Sequence, residues 1–377
     1  MRAEPVDHLS PELFDLWEGM HDADGGPSGP FLHPAYVRAA AGVRAGVEVG
    51  IITERDEIVG FLPFRRSLLG VGGPVGSRLC DVAGALIRPF AAWDPVSFIR
   101  AARLRTLRLP NVPCSSGAFA RFQRGDAEAP VMDLSGGFEA YRASRLASGS
   151  SFLSQLERKA RKLEREQGPL RFEWHTTNDG VFGTLLRWKA AQRRQTRTPD
   201  VLRLPWARAL LERVRRQESA GFAGVLSAFY AGDTLAAVHF GMRTRHVLHY
   251  WVPAYSEELA RYSPGVLALV ELARAAAERG IQRIDLGSGD ERYKLQAATG
   301  SVAMKSTTVS TSPAARACAN TLDRARAWSR SSRVGKVLRT AGRSLVRGSY
   351  LVQSVREASK WRADATLGGD GGPRSAS

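Results

Sequence analysis

The chain has 377 residues, 44% hydrophobic and 24% charged, with a formal net charge of +17, which makes it too long for one compact core and sets two domains of soluble composition as the expectation. Cys80, Cys114 and Cys318 stand far apart at no zinc spacing, which argues against both a disulfide framework and a metal site. The acidic start lacks a secretory signal and no apolar run is long enough to cross a bilayer, so a cytoplasmic protein with an anionic partner or surface is expected.

In chain order, "FLHPAYVRAAAG" from Phe31 reads as a short helix, and "VEVGIITERDEIVGFLPFRR" as a hairpin with strands at 47–53 and 58–64 around Arg55, Asp56 and Glu57. The Gly/Pro-rich "LLGVGGPVGSRLCDVAG" reads as loop or irregular edge, and a helix from Pro95 runs into a strand at 106–109. Two helical pieces follow, the second over 151–167, closed by Gly168 and Pro169 at a domain boundary. Its basic stretch "RKARKLERE" is interleaved with Glu157, Glu164 and Glu166, as suits a solvated helix face.

The second half opens with a strand at 170–176 and helices at 181–195 and 205–220. Three strands follow, "GVLSAFYAGD", "TLAAVHFGMRT" and "HVLHYWVPAY", the first two joined by a tight turn at 231–233. A helix at 263–279, a strand at 283–286, a short helix at 291–297 and a last strand, "SVAMKSTTVS", complete an α/β unit. In the helix at 263–279, Val266, Leu269, Val270, Ala273 and Ala277 form the face that packs on a sheet. Ser263 suits an N-cap, Pro264 the first turn, and Gly265 a close approach of backbone to an anion.

The stretch "YWVPAYSEELARYSPGVLALVELARAAAERGIQRIDLGSGDERYKLQAATG" resembles the cofactor-binding core of GCN5-related N-acetyltransferases (GNATs). Its "YSPG" helix start and "GDERYK" turn resemble the CelD-like branch, which is similar to the Fem peptidyltransferases in having tandem halves. The resemblance covers residues 151–310 and extends to "FLHPAYVRAA" and "IVGFLPF" in the first half. It implies a tandem GNAT-like (acyl-CoA N-acyltransferase) fold, a mixed sheet with flanking helices, to which the residues beyond 312 add a basic helical tail. The implied division is an N-terminal half over 1–135 without a working cofactor site, a connector over 136–168, an acetyltransferase domain over 169–312, a tail over 313–365 and a disordered end over 366–377. Acetyl-CoA or another acyl-CoA is the implied co-substrate, without a metal. The usual diphosphate loop, Arg/Gln-x-x-Gly-x-Gly/Ala, falls on 261–266, and both of its glycine positions are replaced, by Pro264 and Val266.

The resemblance assigns Trp251, Val252, Arg261, Ser263, Gly265 and Val266 to the cofactor, a backbone N–H within 250–253 to the thioester carbonyl, and Tyr293 to protonation of the leaving sulfur. Asp285 and His239 are rival proton acceptors; the structural alternatives are a salt bridge from Asp285 to Lys294 and a satisfied core histidine. Tyr250, Tyr255, Asp290 and Lys294 are candidate acceptor-binding residues, with helix capping the alternative for Asp290. Arg193, Arg194 and Arg197 precede a loop and can meet an acidic substrate or simply be solvated.

Transfer of an acyl group from acyl-CoA to an amine, in an amino sugar or a precursor of envelope or extracellular polysaccharide, is the reading adopted. The alternatives are a Fem-type peptidyltransferase using aminoacyl-tRNA, which the charge suits, and a non-catalytic nucleic-acid-binding protein, for which no helix-turn-helix, zinc or RNP pattern speaks. The segment 313–364 carries twelve Arg and Lys against three Asp and Glu, with apolar residues at loosely helical intervals. Peripheral contact with an anionic membrane at the inner face and a packed helical appendage are its two readings.

Overall fold

The computed structural model describes residues 1–23, 29–196, 198–289 and 291–312. The tail expected at 313–365 lies outside the described residues, and no described helix is long and apolar enough to cross a membrane. The first half runs β1 (Arg2–Pro5), α1 (Pro11–Ala23), α2 (Pro34–Ala41), β2 (Val47–Glu54), β3 (Glu57–Arg66), β4 (Val71–Gly73), β5 (Leu86–Ile87), α3 (Pro95–Ala101), β6 (Thr106–Pro113) and β7 (Gln123–Asp133). Helices α4 (Gly137–Ala147) and α5 (Phe152–Gln167) connect it to β8 (Leu170–Glu173), α6 (Asp179–Gln195), α7 (Pro205–Arg215), β9 (Phe222–Ala231), β10 (Thr234–Thr244) and β11 (Val247–Tyr255). The chain then forms α8 (Pro264–Glu278), β12 (Arg283–Asp285), α9 (Arg292–Ala297) and β13 (Gly300–Ser310).

Local chemistry accounts for many of these boundaries. The β2–β3 hairpin turns through Arg55 and Asp56, both left-handed at φ 50° and 66°, the geometry that matches the twist of paired strands. Asn178 caps α6 by accepting from the Gly180 and Val181 N–H groups, and Asp94 caps α3 by accepting from Ser97, so each helix start satisfies part of its orphan donors. Helix α7 stops at Arg215, short of the expected 220, because the chain returns at once into β9. There a side chain at Gly224 would come 2.4 Å from the Val214 carbonyl.

All the strands join one mixed sheet, in the order β1-β2-β3-β4-β6-β13-β7-β12-β11-β10-β9-β8, with β5 on the side of β3. Each half contains one parallel pair, β4 with β6 and β11 with β12, bridged by α3 and α8 respectively. The halves are interlocked at the middle. Strand β13, last in the chain, pairs on one edge with β6 and on the other with β7, while β7 pairs in turn with β12. Strand β7 was not anticipated: its sequence, "QRGDAEAPVMD", is poor in β-branched residues and contains Gly125 and Pro130, and only its partners on both sides hold it extended.

Because both partners of β13 belong to the first half, the second half alone lacks the bonds that hold its final strand and one edge of β12. The full chain is expected to unfold in a single urea transition, whereas residues 150–312 expressed alone should show no cooperative transition by circular dichroism. Two separable transitions in the full chain would show the halves to be independent.

Candidate functional site

A cleft of about 1010 Å³ opens where the sheet splits between β11 and β12. The two strands pair only from Val247 to His249, and from Tyr250 onward the edge of β11 that faces β12 has no strand partner among the described residues. The opposite edge stays on β10, where Phe240 faces Val252 and Met242 faces His249. Strand β11 therefore carries an extra residue, a bulge at Tyr250 and Trp251 that re-aims its side chains. Tyr250, Trp251, Val252 and Tyr255 all line the cleft, as do residues of the first half from the loop 74–81 and Asn111. Trp251 is fixed by donating its indole N–H to the Leu79 carbonyl at 2.8 Å, a bond between the halves.

The N-terminus of α8 forms one end of the cleft, with Ser263, Gly265 and Val266 in its lining. Ser263 stands at the N-cap position but is left-handed, φ 58° and ψ 49°, and its side chain makes no cap bond. Its hydroxyl accepts instead from the Lys159 ammonium of α5 at 2.7 Å, while its carbonyl accepts from the Val266 and Leu267 N–H groups. At Gly265 a Cβ would lie 3.2 Å from the Tyr255 ring, and the Tyr250 hydroxyl lies 3.5 Å from the Gly265 carbonyl. Arg261 is absent from the cleft lining: the turn before α8 places it beside the end of α5, where it pairs with Glu166 at 3.2 Å and stays mostly exposed.

Of the proton-transfer candidates, the cleft takes in Tyr293 but neither Asp285 nor His239. Burial, with Glu291 nearby, raises the Tyr293 hydroxyl above the ordinary tyrosine value, so it stays protonated at neutral pH. Asp285 is buried and accepts from Arg283 Nε at 2.7 Å; strand alternation puts the two on one face, and Lys294, the expected partner, pairs with Glu291 at 3.2 Å. His239 stacks on Tyr250 with ring centroids 4.5 Å apart, neither ring nitrogen has a hydrogen-bond partner among the described residues, and burial lowers it to about 3. It is a neutral core ring shut behind Tyr250. Lys294 is buried in the cleft wall, while Asp290 falls outside the described residues.

Two residues that the sequence did not single out, Asp81 and Lys189, stand in the lining. Asp81 comes from the first half and receives His249 Nε2 at 2.9 Å; a carboxylate only accepts, so that nitrogen carries the proton. His249 is fully buried on β11, with its ring edge-on to Phe31 at 4.8 Å. A side chain at Gly287 would sit 2.9 Å from the Asp81 carboxylate, so glycine at that position leaves its space open. Cys80, beside it, is no nucleophile: burial and then Asp81 push the thiol up to about 12. Lys189 on α6 donates to the Pro253 carbonyl at 2.9 Å. The loop that carries Asp81 has no periodicity, so only the fold brings it to His249. Arg193 lines the cleft, Arg194 does not, and Arg197 falls outside the described residues. Among the described residues no cluster of three or more His, Cys, Asp or Glu has a metal-binding arrangement.

Residues 150–295 match the family model described as the acetyltransferase (GNAT) domain. No curated protein matches the sequence. Among solved structures the chain is similar to FemX, with a TM-score of 0.52 at 9% identity over 82% of this chain and 96% of that one. It is also similar to the C-terminal domain of a putative lysylphosphatidylglycerol synthetase from Agrobacterium fabrum, with a TM-score of 0.50 at 11% identity over 81% and 95%. These likenesses are of fold.

The buried histidines give the protein a pH dependence of known sign. His239 and His33 are both lowered by burial to about 3, so in the folded state they stay neutral where the unfolded chain binds protons. Their contribution to stability is complete above about pH 6.5 and falls as pH drops toward 3, by about 1.4 kcal/mol per pH unit for each group. Urea unfolding between pH 7.5 and 5 should show this fall, and His239→Phe should reduce the slope by about one proton. An unchanged slope in the variant would show that His239 is protonated in the fold.

Proposed function

We propose, from the match of residues 150–295 to the acetyltransferase (GNAT) domain, that the chain transfers an acyl group from acyl-CoA to an amine held in the cleft between its two halves. Acyl transfer is the activity class the domain supports. The observation that carries the reading is the continuity of the cleft: it runs from the start of α8 along the unpartnered edge of β11 to Tyr293.

The start of α8 suits a diphosphate, because first-turn N–H groups and the helix dipole attract anions and Gly265 leaves the approach narrow but open. Lys159, on Ser263, adds a cation there. The loose edge of β11 suits the amide groups of pantetheine, and an N–H at the 250–251 bulge suits the oxygen of the thioester carbonyl as charge develops on it. Asp81, oriented by His249, takes the proton the amine loses as the new C–N bond forms. Tyr293 gives its proton to the sulfur as the C–S bond breaks. The first half is not a second donor site in this reading: its crossover helix α3 spans 7 residues, and the Asp94 carboxylate already occupies its N-terminus, accepting from Ser97 and from Arg121 at 2.6 Å. The CelD-like resemblance narrows the acceptor to an amino sugar or another precursor of extracellular polysaccharide.

Acetyl-CoA should raise the melting temperature while dephosphorylated pantetheine does not, since stabilisation follows affinity for the folded state. Equal or absent shifts, with a shift from aminoacyl-tRNA instead, would move the assignment to a peptidyltransferase. With an acceptor in hand, Asp81→Asn should lower turnover by about 100-fold and Tyr293→Phe by about 10-fold with acetyl-CoA affinity preserved, as read by release of the CoA thiol. Full turnover in Asp81→Asn would remove it as the base.

A further inference from the structure

Lys189 is an ammonium in the cleft wall that, among the described residues, hydrogen-bonds to a backbone carbonyl, that of Pro253, at 2.9 Å. Among the described residues no carboxylate lies within salt-bridge distance of it. Arg193, one turn further along α6, lines the same cleft, as residues four apart share a helix face. Lys294, on the short α9, is buried in that wall too, and the Glu291 that pairs with it is itself half exposed. Burial, with Arg193 and Lys294 nearby, lowers Lys189 to about 8, and the Glu291 and Asp200 carboxylates in the lining offset this only in part. A half-buried ammonium with no carboxylate at salt-bridge distance is costly, and two further cations lining the same cleft favour a bound anion beside it.

We propose that Lys189, Arg193 and Lys294 form an anion site for the acceptor, so that the substrate class is an amine carrying its own carboxylate or phosphate. The inference rests on the acyl-CoA reading for its assignment to the acceptor. In that reading the diphosphate already has its own cation, Lys159 on Ser263, at the far wall formed by α5 and α8. Lys294, by contrast, follows Tyr293 in the chain and stands with it at the reacting end of the cleft. An anion held there belongs to the molecule that meets the thioester. Lys189 fixes the position of the site through its bond to β11, and Arg193, at the rim, offers a planar fork suited to either oxyanion.

The test uses the full chain with orthophosphate and acetate as probes at constant ionic strength, in thermal-shift titrations with and without saturating acetyl-CoA. Phosphate or acetate should add a further shift to the acetyl-CoA-saturated protein, and whichever anion does so identifies the group the acceptor carries. Lys189→Met and, as a milder variant, Lys294→Gln should weaken that anion at least tenfold while the shift from acetyl-CoA persists. If acetyl-CoA abolishes the anion shift, the site is the diphosphate's and the proposal falls; it falls equally if both variants bind the anion as the wild type does. Loss of the acetyl-CoA shift alone, with anion binding and its lysine dependence intact, would overturn the acyl-CoA reading and leave the anion site standing. As a second measure, glucosamine 6-phosphate against glucosamine, and glycine against glycinamide, should show at least a tenfold lower KM for the anionic member of one pair; equal values in both pairs would overturn the proposal.

Discussion

The insertion of β13 between β6 and β7 is the constraint on which the cleft depends. Without it the sheet would end at β6 on one side and at β7 on the other, and the two halves would be free to move against each other. With it, the loop 74–81 of one half is held against β11 of the other, and the bond from Trp251 to Leu79 and the Asp81–His249 pair become fixed geometry. The edges exposed by splitting β11 from β12 are tolerable for the same reason. They open into a walled cleft, which shields them from pairing with another chain.

The two histidines of the β10–β11 pair are held differently. His239 stacks on Tyr250, and burial keeps it neutral; His249, edge-on to Phe31, donates to the Asp81 carboxylate at the cleft. Lys189 and Lys294 line the same cleft. The low dielectric that makes a lone ammonium costly also strengthens its hold on an incoming anion.

Periodicity made much of this legible. The three long strands β9 to β11 were readable as apolar runs, which the sheet buries almost throughout, and α8 as an apolar run after a helix start, although its buried face takes Leu267, Leu272 and Ala276 where Val266, Val270 and Ala277 were expected. The resemblance added Tyr293, Ser263 and Gly265, which the cleft does bring together. Strand β7 was not readable, since a polar segment with proline becomes a strand only when both neighbours supply its bonds. Asp81 and Lys189 were not readable either: an aspartate in a Gly/Pro loop and a lysine on a helix each have solvation as their ordinary fate, and only the fold sets them in a shared cavity. Three further candidates lie outside the cleft lining, each held by a local contact. Arg261 found Glu166, Asp285 found Arg283, and His239 was covered by Tyr250.

The stretch 261–266 lacks the two glycines of the loop it resembles, and its backbone bends at another residue. The one left-handed residue of the turn into α8 is Ser263, at φ 58°, so the bend that would otherwise favour glycine has moved to a residue whose side chain Lys159 holds. Pro264 follows at the first helical position, where its fixed φ fits and its missing N–H removes a donor that would have had no helical partner. Gly265 remains where a side chain would crowd Tyr255. The turn thus combines a left-handed residue, an open helix end and a nearby cation, a geometry that suits an anion without those glycines.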